Sequence, residues 1–231
     1  MAQTRRSLPS LHRLLIGGAL AIGALAAPPA AGAATVGLWH MDETTGATMA
    51  DSAGTNHGRL RRVDLGVPGF LGTAFGFRGV GSIATVASSA ALNPGAAPFT
   101  ATVRFLTNGA PNDDSADMMR KGLSTNAKTY WKMEVRPYDS GTRARIRCYF
   151  QGSRRNASVY SSGNIADGAW HTVQCLKQNR IVGVIVDGKL RTKAARVGSI
   201  SNGAALTLGA KSRSDDAFGG LLDEAALDVY I

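Results

Sequence analysis

Residues 165–190 constrain the fold more than any other stretch of the chain. They contain two β-rich runs, Trp170–Lys177 and Arg180–Asp187, with only two residues between them. So short a connection between strand-like runs predicts a tight antiparallel hairpin. An Asp-Gly pair precedes the first run at 167–168, another ends the second at 187–188, and both dipeptides are typical of turns.

Further short runs with strand patterning follow one another along the rest of the chain. Residues 99–107, 129–136 and 142–150 alternate between apolar and polar side chains, which is typical of strands with one buried face. Many short strands without a long helix predict an all-β fold, an antiparallel two-sheet β-sandwich of one domain over residues 34–231. Trp170 is out of phase with Val173 and Cys175, which predicts either a β-bulge or a position beside a turn.

The chain has two cysteines, and both are predicted to point into the core. Cys148 continues the inward alternation of Ile146 and Phe150, and Cys175 shares a face with Val173. In an exported chain this predicts one disulfide, Cys148–Cys175, whereas two free buried thiols would suit a reducing compartment.

The first 33 residues have the pattern of a secretory signal peptide. A basic front with Arg5, Arg6 and Arg13 precedes an apolar run at 14–27, and small residues at 31–33 would suit cleavage before Ala34. The flanks of the arginine pair favour the general secretory route over the twin-arginine route. The apolar run is shorter than the ~20 residues of a transmembrane helix. We therefore expect a secreted, extracellular protein without a transmembrane segment.

The chain is basic. Its formal net charge is +10, and removal of the arginines in the leader leaves +7. An exported basic protein meets anionic polysaccharides, phospholipid headgroups and extracellular DNA, and charge alone does not choose among them. The sequence has no specific nucleic-acid motif.

Three motifs resemble those of one known family. They are D-G-x-W-H-x-V at 167–173 with V-D-G at 186–188, L-W-H-M-D-E at 38–43 with D-S-A-G at 51–54, and F-G-G-L-L-D-E at 218–224. Together and in this order they resemble laminin G-like domains of secreted bacterial type, within the concanavalin A-like lectin/glucanase jelly rolls. The resemblance implies a jelly roll and leaves function open, because this fold carries many ligands and some enzymes.

The resemblance also implies a structural calcium ion at the rim of the sandwich. Ca²⁺ prefers six to eight oxygen ligands. Glu43, Asp51 and Asn56 lie in one N-terminal loop, and a last strand beside the first would bring Asp223 and Glu224 near them. The alternative is that Asp51 and Asn56 only cap their turn.

The acidic residues do not have the spacing of a catalytic pair. Glycan-cleaving enzymes of this fold carry two acids on one strand, and acid–base chemistry needs both in one cleft. Glu134 is the only acid in its strand, between Lys132 and Arg136, which favours its ionised form. His171 is interpreted as structural, beside a core tryptophan. No catalytic residue is predicted.

The most distinctive polar feature is a ladder of arginines. Arg143, Arg145 and Arg147 alternate with apolar residues and therefore share one side of a strand. Tyr149 continues this ladder, and Tyr130, Lys132 and Arg136 would lie opposite it. We predict that these seven residues bind an anionic ligand through forked hydrogen bonds and stacking. The alternative is a solvated sheet face with cross-strand pairing between Glu134 and an arginine.

The sequence thus favours a secreted, non-catalytic binding module for a glycan or an anionic cell-surface polymer. Two alternatives stay open, a glycoside hydrolase or lyase on the same fold and an adhesive or structural domain that binds another protein. The identity of the ligand and the oligomeric state are left open.

Overall fold

The chain folds into two antiparallel β-sheets that pack against each other. The computed structural model describes residues 32–111, 114–123 and 128–230. These residues form sixteen strands and contain no α-helix. They therefore include no helix that is long and apolar enough to cross a lipid bilayer. The prediction of an all-β, two-sheet jelly-roll sandwich is confirmed.

The strands, in chain order, are β1 (Ala33–Trp39), β2 (Thr48–Met49), β3 (Gly58–Arg61), β4 (Val63–Pro68), β5 (Thr73–Arg78), β6 (Ile83–Val86), β7 (Phe99–Leu106), β8 (Ala116–Lys121), β9 (Tyr130–Tyr138), β10 (Arg143–Gln151), β11 (Asn156–Tyr160), β12 (Trp170–Lys177), β13 (Ile181–Val186), β14 (Lys189–Ala194), β15 (Leu206–Leu208) and β16 (Gly219–Tyr230).

The first sheet has the strand order β14-β13-β12-β7-β16-β5-β4, and β1 also pairs with β16. The long β16 accommodates two neighbours on one edge, because its first residues pair with β5 and its later residues with β1. The second sheet has the order β11-β10-β9-β8-β15-β6-β3-β2. The expected neighbourhood of the first and last strands is confirmed by the β1–β16 pairing.

Aromatic side chains from both sheets fill the core. Phe99 of the first sheet lies 5.6 Å from Trp131 and 5.9 Å from Phe150 of the second sheet, measured between ring centroids. All three side chains are fully buried. Aromatic rings bury large apolar areas and gain further from tilted and edge-on contacts. These contacts hold the sheets together where β7 faces β9 and β10.

One disulfide joins the two sheets. Cys148 of β10 and Cys175 of β12 are bonded, with their Cα atoms 5.5 Å apart and both side chains fully buried. The described residues contain no free cysteine. The predicted pairing and inward orientation are confirmed.

The expected hairpin is present as β12 and β13, which pair from Val173–Val186 to Lys177–Val182. The Asp187-Gly188 turn then leads directly into β14, with φ values of 49° and 76°. Positive φ at both central residues is what a two-residue hairpin turn of type I′ requires. The sequence did not indicate β14, because all of its side chains are exposed and show no apolar alternation.

Of the two alternatives for Trp170, the bulge is wrong and the position beside a turn is correct, because Trp170 is the first residue of β12 and directly follows the bend at 167–169. Trp170 pairs in regular register with Leu106, so its side chain points away from the core, on the same face as those of Thr172 and Gln174. On this outer face it meets Phe70 at 6.1 Å in an edge-on contact. Trp170 is therefore not the core tryptophan expected beside His171.

His171 joins the two Asp-Gly turns. Its Nδ1 lies 2.7 Å from Asp187 Oδ2, and its Nε2 lies 3.0 Å from Asp167 Oδ1. Burial lowers the pKa of His171, but the two carboxylates raise it, and the net shift is upward. Carboxylate oxygens only accept hydrogen bonds, so both contacts are hydrogen bonds when the imidazole is protonated. These contacts agree with a structural role for His171, which joins two turns and does not lie beside a core tryptophan.

The first described strand begins near the predicted start of the domain, and the predicted domain bounds stay a prediction. β1 begins at Ala33 and pairs with Tyr230, and the expected domain begins at residue 34. The predicted signal peptide, residues 1–33, lies outside the described residues except for its last two positions.

We expect removal of the disulfide by Cys148→Ala/Cys175→Ala to lower the free energy of unfolding by about 3–4 kcal/mol, because the bond closes a loop of 27 residues. Denaturant unfolding measures the change. Reductant should bring the wild type to the stability of the variant and leave the variant unchanged. Titratable thiols in denatured, unreduced wild type would contradict the bond.

We expect His171→Gln to destabilise the fold by about 1–2 kcal/mol at pH 5.5, through loss of two charge-assisted hydrogen bonds. The folded pKa is raised, so the stabilisation is complete below the unfolded value of about 6.5 and is lost as pH rises through the folded pKa. Unfolding of both proteins between pH 5.5 and 9 should show the difference shrinking. A constant difference would contradict the ion pairs.

Candidate binding surface

The predicted ligand-binding residues all lie on the outer face of the second sheet. β9 and β10 pair so that Arg145 is opposite Arg136, and Tyr149 is opposite Lys132. The intervening side chains are buried against the first sheet. The period-two alternation therefore brings together Tyr130, Lys132, Arg136, Arg143, Arg145, Arg147 and Tyr149, as the sequence predicted.

Part of this face is a buried ion-pair network rather than a solvated surface. Glu134 is fully buried between Lys132, whose Nζ lies 2.5 Å away, and Arg147, whose Nη1 lies 2.9 Å away. Beside them Arg120 pairs with the equally buried Asp117 at 2.5 Å. Arg147 is therefore part of this network, because a buried carboxylate must be neutralised by a close cation. For this residue the cross-strand pairing alternative is correct.

Asp117 and Glu134 form an acid pair that the sequence did not reveal. They lie opposite each other on β8 and β9, so no spacing within one strand could indicate them. The segment around Asp216 covers them, and the Asp117 amide donates to the Asp216 carbonyl at 2.8 Å. Burial raises the pKa of Asp117 to about 6. Neither carboxyl is accessible to a substrate, and the arrangement is structural.

The opposite end of the face carries arginines without acidic partners. Among the described residues, Arg136, Arg143 and Arg145 make no ion pair. Arg145 Cζ instead lies 4.3 Å from the ring centroid of Tyr160 and 5.4 Å from that of Tyr138. The Nε of Arg145 is buried and has no hydrogen-bond partner in the described structure.

Tyr138 and Tyr160 were not among the predicted site residues. Tyr138 lies beyond the predicted strand at 129–136 but ends β9, and its ring also lies 5.2 Å from Arg143 Cζ. Both tyrosines are half-buried. We call Arg136, Arg143, Arg145, Tyr138 and Tyr160 the arginine–tyrosine face.

The N-terminal residues predicted to bind calcium use their oxygens within the fold. Asp51 Oδ1 accepts hydrogen bonds from the amides of Leu38 and Ala53, and Oδ2 accepts one from Asn56. Burial raises the pKa of Asp51, but the hydrogen bonds from these amides together lower it by more, so the net shift of the pKa is downward. Glu43 Oε1 accepts from Ala50 at 2.6 Å. These bonds have the pattern of turn capping.

The two C-terminal residues of the predicted calcium site also have other partners. Asp223 Oδ2 accepts hydrogen bonds from the amides of Phe70 and Leu71, and burial raises the pKa of Asp223. Glu224 pairs with His40 Nδ1 at 3.0 Å. In the part of the chain that the structure describes, no group of three His, Cys, Asp or Glu side chains is arranged for a metal ion. The residues do not fit one shared site, and calcium binding stays a prediction.

A second exposed feature lies on the outer face of the first sheet. Phe70 and Leu71 project from the β4–β5 loop with about half of their surface exposed, 49% and 58%. Arg104 Cζ lies 4.1 Å from the centroid of the Phe70 ring, and Trp170 contacts its edge. Sequence reasoning missed this cluster, because it depends on how a loop lies across the sheet.

Two cavities open at opposite ends of the sandwich. The larger, of about 940 Å³, lies near Phe77, Asn108 and Phe218. The smaller, of about 340 Å³, lies near Lys177 and Arg154. Both volumes fall in the usual range of ligand sites, ~300–1,000 Å³.

Solved structures with low sequence identity share this fold. The binding domain of paraclostridial mosquitocidal protein 1 aligns with a TM-score of 0.62 at 12% identity, over 85% of this chain and 48% of that one. The binding domain of botulinum neurotoxin DC, solved in complex with SialylT, aligns with a TM-score of 0.60 at 13% identity, over 84% and 47%. This chain thus spans about half the length of the toxin binding domains.

Another solved structure is matched over nearly its whole length. Domain 4 of AbnA, a GH43 extracellular arabinanase from Geobacillus stearothermophilus solved in complex with arabinotriose, aligns with a TM-score of 0.62 at 15% identity, over 86% of this chain and 93% of that one. At such identities these matches establish a shared fold.

The sequence comparisons assign the family. No curated protein matches this chain. The Laminin_G_3 model matches residues 78–228, a span from the end of β5 almost to the end of β16. The resemblance to laminin G-like domains is confirmed. The chain therefore belongs to the concanavalin A-like lectin/glucanases superfamily, in the family that the Laminin_G_3 model describes.

Proposed function

We propose that this protein is an exported, non-catalytic binding module whose ligand is an anionic glycan. The arginine–tyrosine face is its binding surface. The export signal in the sequence and the disulfide support an oxidising, extracellular location.

The observation that carries this proposal is the pairing of Arg136 with Arg145. These residues are directly opposite each other on β9 and β10, and neither has an acidic partner among the described residues. Like charges opposite each other destabilise a sheet. A carboxylate or sulfate bound between the two guanidiniums would remove this repulsion and accept several of their N–H donors.

The tyrosines supply the second element of glycan recognition. Tyr138 and Tyr160 lie against Arg145, and contacts with ring faces leave the in-plane N–H donors of the guanidinium without an acceptor among the described residues. Aromatic rings also pack against the apolar faces of sugar rings, and this contact buries apolar surface on both rings. A charged sugar polymer suits this combination better than a neutral one, because the face is basic.

The matched structures give independent support. The two toxin structures are named as binding domains, and two of the three matches were solved with glycans, arabinotriose and SialylT. The enzyme alternative would need accessible acids, whereas Asp117 and Glu134 are fully buried and paired with cations.

We expect Arg136→Gln/Arg145→Gln to weaken binding of an oligouronate by at least roughly tenfold, because each guanidinium supplies charge-assisted hydrogen bonds. The melting temperature should stay the same or rise slightly, since a like-charge pair is removed. Titration calorimetry and thermal melts measure the two effects. Wild-type binding should weaken with salt, because exposed charges are screened over ~8 Å at physiological ionic strength.

Arg59→Gln/Arg61→Gln is the matched control. It makes the same charge change at exposed positions on β3, in the same sheet. Neutral arabinotriose tests whether charge is required, and each titration is repeated with calcium and with chelator. Equal oligouronate affinity in the wild type and Arg136→Gln/Arg145→Gln, with normal melting, would contradict the proposed surface.

Arg147→Gln should act on stability rather than on the ligand. It removes one of two cations from the fully buried Glu134. We expect a loss of about 2–3 kcal/mol, below the ~3–5 kcal/mol of a broken buried pair, because Lys132 remains. Denaturant unfolding measures this change. A stability equal to that of Arg145→Gln would show that the buried network contributes little.

A further inference from the structure

The smaller cavity is lined by basic and neutral polar groups. It lies at the end of the sandwich where β10 and β12 finish and β7 begins. Its lining residues are Ala96, Ser153, Arg154, Lys177, Gln178, Asn179, Arg196, Gly198 and Ser199. None of these described residues is acidic, and three carry positive charge.

The loops that form the cavity are fixed by close backbone contacts. A Cβ atom at Gly152 would lie 2.5 Å from the Val197 carbonyl oxygen, and one at Gly198 would lie 2.6 Å from Ser153 Oγ. The amides of Ser153 and Arg154 donate to carbonyls of the facing segment at 2.9 and 3.0 Å. Arg154 and Arg196 are therefore anchored on two segments that cannot separate without breaking these contacts.

Lys177 provides a buried positive charge at the base of the cavity. Its side chain is only 2% exposed, and Nζ donates to the carbonyls of Ala96 and Ala97 at 3.1 and 3.0 Å. An ammonium group has three donors, so one remains. Burial lowers the pKa of Lys177, and a nearby anion would offset this effect by favouring the charged form.

Other donors surround the same space. Ser153 Oγ accepts a hydrogen bond from the Ser199 amide at 3.0 Å, which leaves the Ser153 hydroxyl hydrogen free to donate. The side-chain amides of Gln178 and Asn179 are exposed at the rim. The cavity thus combines one buried ammonium, two guanidiniums and neutral donors.

The part of the chain that supplies most of the cavity lining is strongly basic. Residues 140–214 contain thirteen Lys and Arg and only two acids, Asp167 and Asp187. Both acids contact His171, near the opposite end of β12 from Lys177. No other acid in this segment is available to neutralise Arg154, Arg196 and Lys177.

We propose that this cavity is a specific site for a tetrahedral oxyanion, sulfate or phosphate, held by Lys177, Arg154 and Arg196. The two guanidinium groups can each donate two hydrogen bonds to the oxygens of such an ion, and the buried ammonium adds a third positive charge. A volume of about 340 Å³ exceeds one oxyanion, so a sugar ester that carries the group also fits.

This site is separate from the arginine–tyrosine face. Arg145 lies six residues before the end of β10 at Gln151, which corresponds to ~20 Å along a strand. That distance exceeds the ~8 Å screening length of physiological salt. The two sites should therefore bind independently, and either proposal can fail without the other.

The test is titration of the full exported protein with sodium sulfate and sodium phosphate at constant ionic strength, balanced with chloride. We expect saturable binding by calorimetry and by NMR shifts of residues in the cavity. Arg154→Gln/Arg196→Gln should weaken it by roughly tenfold or more, and Arg136→Gln/Arg145→Gln should leave it unchanged. The exposed pair Arg191→Gln/Arg213→Gln is the matched control, with the same charge change away from the cavity.

Lys177→Met tests the buried charge with a stem of similar length. If Lys177→Met fails to fold, Arg154→Gln/Arg196→Gln still tests the site, because these two exposed side chains do not support the core. Glucose 6-sulfate and glucose 6-phosphate, beside glucose, distinguish an ester ligand, which would bind more tightly than the free ion, from a free oxyanion. Absence of saturable binding, or equal binding in the wild type and Arg154→Gln/Arg196→Gln, would overturn the proposal.

Discussion

The covalent bond between Cys148 and Cys175 fixes how the two sheets face each other. Side chains of a strand alternate between its faces, so an inward Cys148 requires Arg147 and Tyr149 to point outward. A slip of one residue in β10 would place arginines in the core, where unpaired charge is costly. The disulfide and the alternation thus select the same register, and that register creates the basic outer face.

The parts of the fold that follow from local alternation could be predicted. β12 was expected at Trp170–Lys177 and occurs there, because one of its faces is buried and its apolar residues repeat every second position. β14 was missed because it is an edge strand that is exposed on both faces. β4 was missed as well, since its pairing with β5 shifts register between Asp64 and Val67. Period-two reasoning fails where a strand buries no continuous face or contains an irregularity.

The candidate site could be predicted as a face but not as a set of partners. Alternation places Arg145 and Arg147 on the same side of β10, yet one stacks on tyrosines and the other pairs with Glu134. The difference follows from the register of the β9–β10 hairpin, which places Arg147 opposite Glu134 and Arg145 opposite Arg136. The complete burial of Glu134 and Asp117 could not be predicted, because the covering segment around Asp216 lies far away in sequence.

The ion-paired Arg147 and the unpaired Arg145 have complementary effects on this face. The buried pairs around Glu134 hold β8, β9 and β10 in one arrangement, so a ligand would not have to order the surface on which it binds. Stacking of Arg145 between Tyr138 and Tyr160 restricts its side chain further, while its positive charge stays uncompensated by any described acid. A guanidinium that is fixed in position but lacks an anion loses little entropy when one arrives, and its planar fork suits oxyanions. The rigid ion-pair network around Glu134 and the uncompensated charge of Arg145 therefore favour recognition of an anionic ligand over a purely structural role for this end of the sheet.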